Sequence, residues 1–193
     1  MKSLRDEAVI CRRCDLYKRA TQTVFGEGRV RARMMLVGEQ PGDSEDRLGH
    51  PFVGPAGKLL HRALAEAGIP ESHVYVTNVV KHFKFIQRGK RRIHSKPKAI
   101  EIRACKPWLE AEIQVVRPAL IVALGATAAQ SLLGSGFRLL ANRGRVINDD
   151  PARPVFVTIH PSAILRAPSD AARHSELNNF VDDLRAASAV VGV

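Results

Sequence analysis

The chain has 193 residues, of which 45% are hydrophobic and 25% charged, so its length and composition predict one globular domain, residues 1–193. No run of about 18 apolar residues occurs, which excludes a transmembrane helix, and the first residues lack an apolar signal region, which predicts a cytoplasmic protein. The formal net charge of +11 and a sequence pI near 10.2 predict an anionic partner, either nucleic acid or an acidic membrane surface.

Four short apolar runs rich in Val or Ile predict buried strands, and helical patterns separate them. The runs are Arg33–Glu39, Val74–Val80, Ala119–Gly125 and Pro154–His160. The helical patterns are Ala56–Ala67, Lys98–Val116, Ala126–Leu133 and Asp170–Ala187. This alternation of strand and helix predicts α/β layers with a mostly parallel sheet.

Ligands of such sheets bind outside the carboxyl ends of the strands, and this rule selects four stretches of the chain. They are Glu39–Asp43, Asn78–His82, Gly125–Thr127 and His160–Ser162. Three of them carry polar groups suited to chemistry. The stretch Gly125–Thr127 is interpreted as a tight turn only.

Two aromatic or amide side chains near these ends have two interpretations each. Phe52, in a Gly/Pro-rich loop, either packs in the core or forms a floor on which a flat base stacks. Asn78 either caps a turn or presents donors and an acceptor that read an imide-like edge.

The stretch after the last strand combines a histidine, an apolar pair and a cation. His160 is followed by Pro161, which holds it stiffly, and it can donate to a developing oxyanion. Leu165 beside Arg166 can form an apolar wedge next to a phosphate contact. The alternative is a loop that only enters the last helix.

The three cysteines are an odd number for a disulfide framework, which a reducing compartment also disfavours. Cys11 and Cys14 form a short-spaced pair, Cys105 lies far downstream, and His82 is the best candidate for a fourth ligand of zinc or an iron–sulfur cluster. The alternatives are a redox cysteine pair and a buried Cys105 that acts as a small hydrophobe.

Eight of the Lys and Arg residues lie within Lys81–Lys98, a segment of 18 residues with no acid. Such a segment neutralises phosphates. Within it, Lys90–His94 (K-R-R-I-H) is either a phosphate contact or a stretch that presents His94 as a nucleophile or general base.

Taken together, these motifs resemble the uracil-DNA glycosylase superfamily from Cys11 to about Leu184. Gly38–Gly42 resembles the first motif of that superfamily, and His160–Arg166 resembles the last. The cysteines resemble the iron–sulfur branch, family 4.

The chain departs from family 4 at two places. His82 stands where family 4 has a further cysteine, and Lys90–His94 is an insertion. Both departures, together with Gln40, match the UdgX type, whose signature insertion is K-R-R-I-H.

The resemblance implies a three-layer α/β/α fold around a central four-stranded, mostly parallel sheet. It also implies a structural 4Fe–4S cluster held by Cys11, Cys14, His82 and Cys105. UdgX proteins cleave the glycosidic bond of uracil in DNA and stay attached to the sugar C1′ through the histidine of the insertion, which by motif position is His94. We therefore expect a monomer that acts on uracil-containing DNA, accepts single strands and does not bind membranes.

The same resemblance suggests roles for the other site residues. Phe52 would stack on uracil, Asn78 would bond its O4/N3 edge, and His160 would stabilise the leaving anion at O2, with backbone N–H groups near Gln40. Glu39 would polarise a water or orient His94. Substrate positioning and support of the His94 loop are expected from Gln40, Asp43 and Arg92. DNA contacts are expected from Lys90, Arg91, Arg92, Ser162, Leu165 and Arg166.

Two alternatives stay open at this point. One is a conventional, multiple-turnover glycosylase of the family-4 kind, in which Lys90–His94 only clamps phosphate. The other is a non-catalytic nucleic-acid binder with a zinc or iron–sulfur staple, whose binding would ignore uracil and fall steeply with salt.

Overall fold

The computed structural model describes residues 1–147 and 150–193. Over these ranges the chain forms eight strands: β1 (Glu27–Gly28), β2 (Met34–Gly38), β3 (Val74–Asn78), β4 (Phe85–Arg88), β5 (Arg91–His94), β6 (Leu120–Leu124), β7 (Arg145–Ile147) and β8 (Val155–Thr158). The same ranges hold eight α-helices: α1 (Lys2–Val9), α2 (Asp43–Leu48), α3 (Pro55–Glu66), α4 (Ala99–Val116), α5 (Ala126–Leu133), α6 (Leu139–Asn142), α7 (Pro161–Leu165) and α8 (Asp170–Val191). Short 3-10 turns cover Asp15–Lys18 and Glu71–His73.

The main sheet has six strands in the order β1-β3-β2-β6-β8-β7, flanked by helices, so the predicted α/β fold with a mostly parallel sheet is confirmed. Its four central strands are the predicted apolar runs, and each pairs in parallel with its neighbour. Their residues are almost all buried, since helices cover both faces of such a sheet.

The predicted number of four strands is wrong, because an antiparallel strand is added at each edge of the sheet. β1 pairs with β3, and β7 pairs with β8. These edge strands span only two and three residues and are largely exposed, so neither contains the buried apolar run that marks a central strand.

The helices bury the sheet in one continuous core. α3, α7 and α8 pack on one another, while α4 contacts β3 and α5 contacts β2 and β6. Phe156 and Phe180 are among the largest fully buried side chains. No helix within 1–147 or 150–193 is both long and apolar enough to cross a membrane.

The basic segment folds into a separate hairpin of β4 and β5, which sequence patterns did not predict. Phe85 pairs with His94, and Ile86 with Ile93, across the two strands. The turn contains Gly89 with a φ of 55°, in the left-handed region that glycine adopts without strain. Because the register pairs Phe85 with His94, His94 stands at the open end of the hairpin, next to the body of the protein.

Candidate active site at the carboxyl ends of the strands

The carboxyl ends of β3, β2, β6 and β8 surround one cavity of about 910 Å³. It brings together most of the site residues predicted from the sequence: Glu39, Gln40, Asp43, Phe52, Asn78, His94, His160, Ser162 and Arg166. The exposed residues Lys90, Arg91 and Leu165 are not among those that line it. The predicted cysteine ligands lie elsewhere.

The floor of the cavity is built around Gly38, at the end of β2. A methyl group at this position would lie 2.8 Å from Phe52 Cζ and 3.5 Å from His160 Nε2, and it would collide with Asn78 Oδ1. The three side chains that were predicted to read a base therefore converge on one glycine. Only a residue without a side chain leaves this space open for a ligand.

Phe52 is held in an unusual backbone conformation. Its φ is 56°, a left-handed value that costs a bulky residue of the order of 1–3 kcal/mol. Its ring is 4% exposed and stacks on the His160 ring, with centroids 6.2 Å apart. The two sequence interpretations of Phe52 are thus compatible, because the ring belongs to the core and also lines the cavity.

Glu45 orders the loop that carries Phe52, and the sequence reading missed it. Its carboxylate accepts hydrogen bonds from the backbone N–H of Gly54 at 2.7 Å and of Gly42 at 3.1 Å. These two bonds join the loop after β2 to the loop before α3. The signal available in the sequence was an acid three residues after a glycine N-cap, at the start of a helix.

His160 is a neutral imidazole whose tautomer is fixed by its neighbours. The backbone N–H of Ser162 donates to His160 Nδ1 at 3.2 Å, so Nδ1 is the acceptor and Nε2 carries the proton. Burial, together with the positive charge of Arg166 and the nearby His94, lowers the pKa of His160 to about 4. The ring therefore presents an N–H donor to the cavity at neutral pH.

His94 enters the cavity from the hairpin and meets the acid that follows β2. His94 Nε2 lies 3.4 Å from Glu39 Oε1, and its side chain is half exposed. Burial lowers the pKa of His94 below its usual value, opposed by Glu39 and assisted by Arg166. At neutral pH the imidazole is uncharged and keeps a lone pair free for bonding.

Thr127 is a further site residue that the sequence reading missed. It lies in the first turn of α5, and its hydroxyl donates to Glu39 Oε2. The stretch Gly125–Thr127 was interpreted as a turn only, whereas here it orients the carboxylate that faces His94. Its position at a strand end was the one signal that could have identified it.

Gln40 ties both ends of the hairpin to the body. Its side-chain N–H groups donate to Lys84 O at 3.2 Å and Ser95 O at 3.1 Å, and its oxygen accepts from Lys84 N at 3.1 Å. The side-chain amide is therefore occupied by the protein itself.

Arg92 points inward and fixes the hairpin to α2. Its Nε donates to Asp43 Oδ1 at 2.5 Å and its Nη1 to Asp46 Oδ2 at 2.6 Å. Its guanidinium also lies over the rings of Phe83 and Phe85, 5.4 and 5.1 Å from their centroids. Asp46, which is fully buried, was not identified from the sequence.

The positive charge of the basic segment is consequently smaller at the surface than the sequence suggests. Lys81 is buried against Glu112, Lys84 pairs with Glu101 at 2.8 Å, and Arg92 pairs with two aspartates. The exposed cations that face solvent are Arg88, Lys90, Arg91, Lys96 and Lys98.

The family model of the uracil DNA glycosylase superfamily matches residues 25–185, which include every element that surrounds the cavity. The chain belongs to this superfamily. It is 37% identical over 181 residues to the Type-4 uracil-DNA glycosylase of Thermotoga maritima, a match that covers 93% of this chain and 91% of the relative. It is also 36% identical over 177 residues to the Type-4 uracil-DNA glycosylase of Sulfurisphaera tokodaii, covering 88% and 77%. The corresponding enzyme of Archaeoglobus fulgidus is 37% identical over 178 residues, covering 87% and 86%.

The predicted metal ligands of this superfamily member line a second, small cavity of about 10 Å³, formed in part by Cys11, Cys14, His82 and Cys105. Two N–H groups point at its sulfurs: Trp108 Nε1 lies 3.2 Å from Cys11 Sγ, and Lys81 N lies 3.2 Å from Cys105 Sγ. N–H donors of this kind suit thiolate ligands.

The arrangement of these residues is not that of a formed metal site. No three His, Cys, Asp or Glu side chains of the described part of the chain are grouped so that they could hold a metal ion. His82 Nε2 is 2.9 Å from Thr23 Oγ1, and burial raises the pKa of Cys105 to about 11. Three thiols and an imidazole are nevertheless donor types that zinc and iron–sulfur clusters take, and a bound cation would be needed to ionise the buried Cys105 thiol.

Proposed function

We propose that this protein excises uracil from DNA. The observation that carries the proposal is the neutral His160, whose Nε2–H faces the cavity beside Phe52 and Asn78. Membership in the uracil-DNA glycosylase superfamily and the similarity to Type-4 uracil-DNA glycosylases support the same reaction.

Recognition follows from the side chains that converge on Gly38. A base inside a duplex is unreachable, so uracil is either flipped out or supplied on a single strand. The ring of Phe52 stacks on the base, and the amide of Asn78 bonds its O4/N3 edge. Cytosine is rejected because its 4-amino group places a donor where uracil has an acceptor.

Cleavage of the glycosidic bond leaves two charges to stabilise. The C1′–N1 electron pair departs with uracil, so negative charge develops on the base and the sugar becomes oxocarbenium-like. His160 Nε2–H donates to uracil O2 as this charge grows, and a donor that is already oriented costs no reorganisation. The departing anion then takes a proton from solvent.

The fate of the sugar separates two versions of this function. Similarity to Type-4 enzymes supports capture of C1′ by water, with turnover. The position of His94 in the cavity, and the resemblance of Lys90–His94 to the UdgX insertion, support a second version. In it, the lone pair of neutral His94 bonds C1′, and the proton of the resulting imidazolium passes to Glu39 or to solvent.

A 4Fe–4S cluster is part of the proposal, as a structural element. Cys11, Cys14, His82 and Cys105 would hold it, and it would join the N-terminal segment to α4 and to the segment before the hairpin. Iron and acid-labile sulfide analysis of purified protein tests this assignment, and zinc in place of iron would contradict it. We propose that the protein works as one monomeric domain.

The first experiment mixes purified protein with a uracil-containing single-stranded oligonucleotide and analyses a denaturing gel and free uracil from the same tubes. A heat- and SDS-resistant band that requires uracil, with release not exceeding the amount of enzyme, is the result expected from capture. His94→Ser should abolish this band while uracil release continues.

Other outcomes of this experiment discriminate between the alternatives. Release in excess of enzyme without a band would establish conventional turnover. A band that persists in His94→Ser would exclude His94 as the nucleophile. Neither band nor release, from protein with its metal content intact, would favour a non-catalytic nucleic-acid binder.

A further inference from the structure

The main cavity is larger than one base requires. It reaches across the carboxyl ends of four adjacent strands, β3, β2, β6 and β8, which at roughly 4.8 Å per strand spacing is about 14 Å. Its volume of about 910 Å³ lies at the upper end of the range of pockets that bury drug-sized molecules. The floor around Gly38 uses only part of this space, because Phe52, Asn78 and His160 all lie within 3.5 Å of one methyl position there.

The remainder of the cavity, toward α6 and α7, has an apolar wall. The wall is formed by Leu124, Ala126, Leu139, Leu140, Ile159 and Ala163. Leu140 is 80% exposed, whereas its neighbour Leu139 is 9% exposed and anchors the short helix α6 in the core. Helix α6 thus holds the Leu140 side chain at the rim of the cavity, in contact with solvent. Such an apolar surface suits a flat, partly apolar ligand.

Two cations line the same cavity. Lys96 and Arg166 form no ion pair with any residue in the described ranges, 1–147 and 150–193. The cavity acids already have partners: Asp43 pairs with Arg92, Glu45 accepts from backbone N–H groups, and Glu39 meets Thr127 and His94. The unpaired charge at the rim therefore favours an anionic ligand, such as the phosphodiester of a DNA strand.

We propose that the wall around Leu140 is a subsite for the base of the nucleotide adjacent to the uracil on the same strand, with Arg166 and Lys96 at the phosphodiester that joins the two nucleotides. This inference rests on the proposed function, because it extends the same cavity from one nucleotide to two. The neighbouring base packs its face on the exposed Leu140 side chain without hydrogen-bond readout, so the subsite tolerates any sequence. The subsite increases affinity for a strand and contributes no chemistry.

The test measures binding separately from excision. Fluorescence anisotropy gives the Kd of wild type for single-stranded oligonucleotides that contain 2′-fluorinated deoxyuridine, whose glycosidic bond resists cleavage. The nucleotide on the 5′ or the 3′ side is either normal or a tetrahydrofuran residue without a base. Loss of the correct neighbouring base should weaken binding by about five- to tenfold, as expected for the apolar area that a base buries on one leucine side chain.

The variant Leu140→Ser should weaken binding of the normal oligonucleotide by a similar factor and should be insensitive to removal of that base. Folding is not at risk, because the side chain is 80% exposed. Val190→Ser, at an exposed position on α8 that does not line the cavity, is the matched control and should bind like wild type.

Equal binding of all oligonucleotides by wild type, or additive effects of the variant and the missing base, would overturn the subsite. An effect of Leu140→Ser confined to duplex DNA would also overturn it and would make Leu140 a wedge between base pairs. Binding is measured without cleavage, so the two proposals fail separately. Absence of uracil release in a parallel excision assay would contradict the proposed function, while the binding data would still decide whether the subsite exists.

Discussion

The two cavity histidines give the proposed reaction a defined pH dependence. Burial lowers the pKa of both, to about 4 for His160 and less strongly for His94. A lowered pKa means that each ring is still neutral at the usual histidine value of about 6.5, and His160 stays neutral down to about pH 4. Capture by His94 and stabilisation of the base by His160 both require the neutral ring.

We therefore expect single-turnover rates to be flat between about pH 7 and 8 and to fall only at acidic pH. On acidification, formation of the covalent band should be lost before uracil release, because His94 gains its proton at a higher pH than His160. In His94→Ser, uracil release should keep its pH dependence over this range, and no covalent band should form at any pH. A parallel fall of both signals around pH 6.5 would contradict this assignment of roles.

At the scale of single residues, the sequence predicted positions at strand ends better than contacts between them. Glu39, Asn78 and His160 lie at the carboxyl ends of predicted strands, so the sheet rule was sufficient to bring them to one edge. Thr127 was missed because its bond to Glu39 joins residues 88 positions apart. No local pattern encodes such a contact, which depends on how α5 packs beside β2.

At the scale of elements, the hairpin of β4 and β5 depends on a few inward contacts that can be removed selectively. Arg92 is 12% exposed and pairs with Asp43 and with the fully buried Asp46. Removal of one partner of a buried ion pair costs about 3–5 kcal/mol because the other charge stays uncompensated. The cavity floor of Phe52, Asn78 and His160 belongs to other elements, so it should survive.

The variant Arg92→Met keeps an apolar stem against the aromatic rings and removes the charge. We expect the covalent band to form at least 100-fold more slowly, because the hairpin that carries His94 loses its anchor, with uracil release reduced by less than tenfold. Each tenfold change in rate corresponds to about 1.4 kcal/mol of activation free energy. Arg88→Met, at an exposed position of the same hairpin, is the matched control. Any change in the rate of capture or release in this variant should be no larger than the change in its affinity for DNA. Equal losses of capture and release in Arg92→Met would show that the hairpin also supports the base pocket.

How well each helix or strand was predicted depends on the strength of its sequence pattern. The four central strands and the helices α3, α4, α5 and α8 were predicted within a few residues, because continuous apolar runs and helical periodicity are strong signals. The hairpin was not predicted because Lys and Arg interrupt its alternation, and β1 and β7 are too short to show one. The charge pattern indicated that Lys81–Lys98 is a functional segment, but it did not indicate the conformation of that segment.

At the scale of the whole molecule, one buried polar network joins four parts of the chain. Glu112 on α4 accepts hydrogen bonds from Gly26 N and Tyr75 Oη, each at 3.0 Å, and it forms an ion pair with Lys81. Lys81 Nζ also donates to Thr77 Oγ1 at 2.7 Å and to Asn78 O at 2.6 Å. The network therefore connects the strand that carries Asn78 with the segment that precedes the hairpin and with the helix that carries Cys105.

Because Lys81 and Glu112 are 1% and 0% exposed, Lys81→Met should leave an uncompensated buried carboxylate and destabilise the protein by about 3–5 kcal/mol. At roughly 2–4 °C per kcal/mol for a chain of this size, Tm should fall by about 6–20 °C. The double variant Lys81→Met/Glu112→Leu removes both charges and should recover much of the loss, whereas Lys18→Met, in an exposed pair with Asp15, should leave Tm unchanged. Urea and thermal unfolding of the wild type and these three variants, at matched metal content, measure the differences in stability. If the single and double variants are equally unstable, the two charges are not energetically coupled. If the double variant recovers, the ion pair couples β3 and the segment before the hairpin to α4.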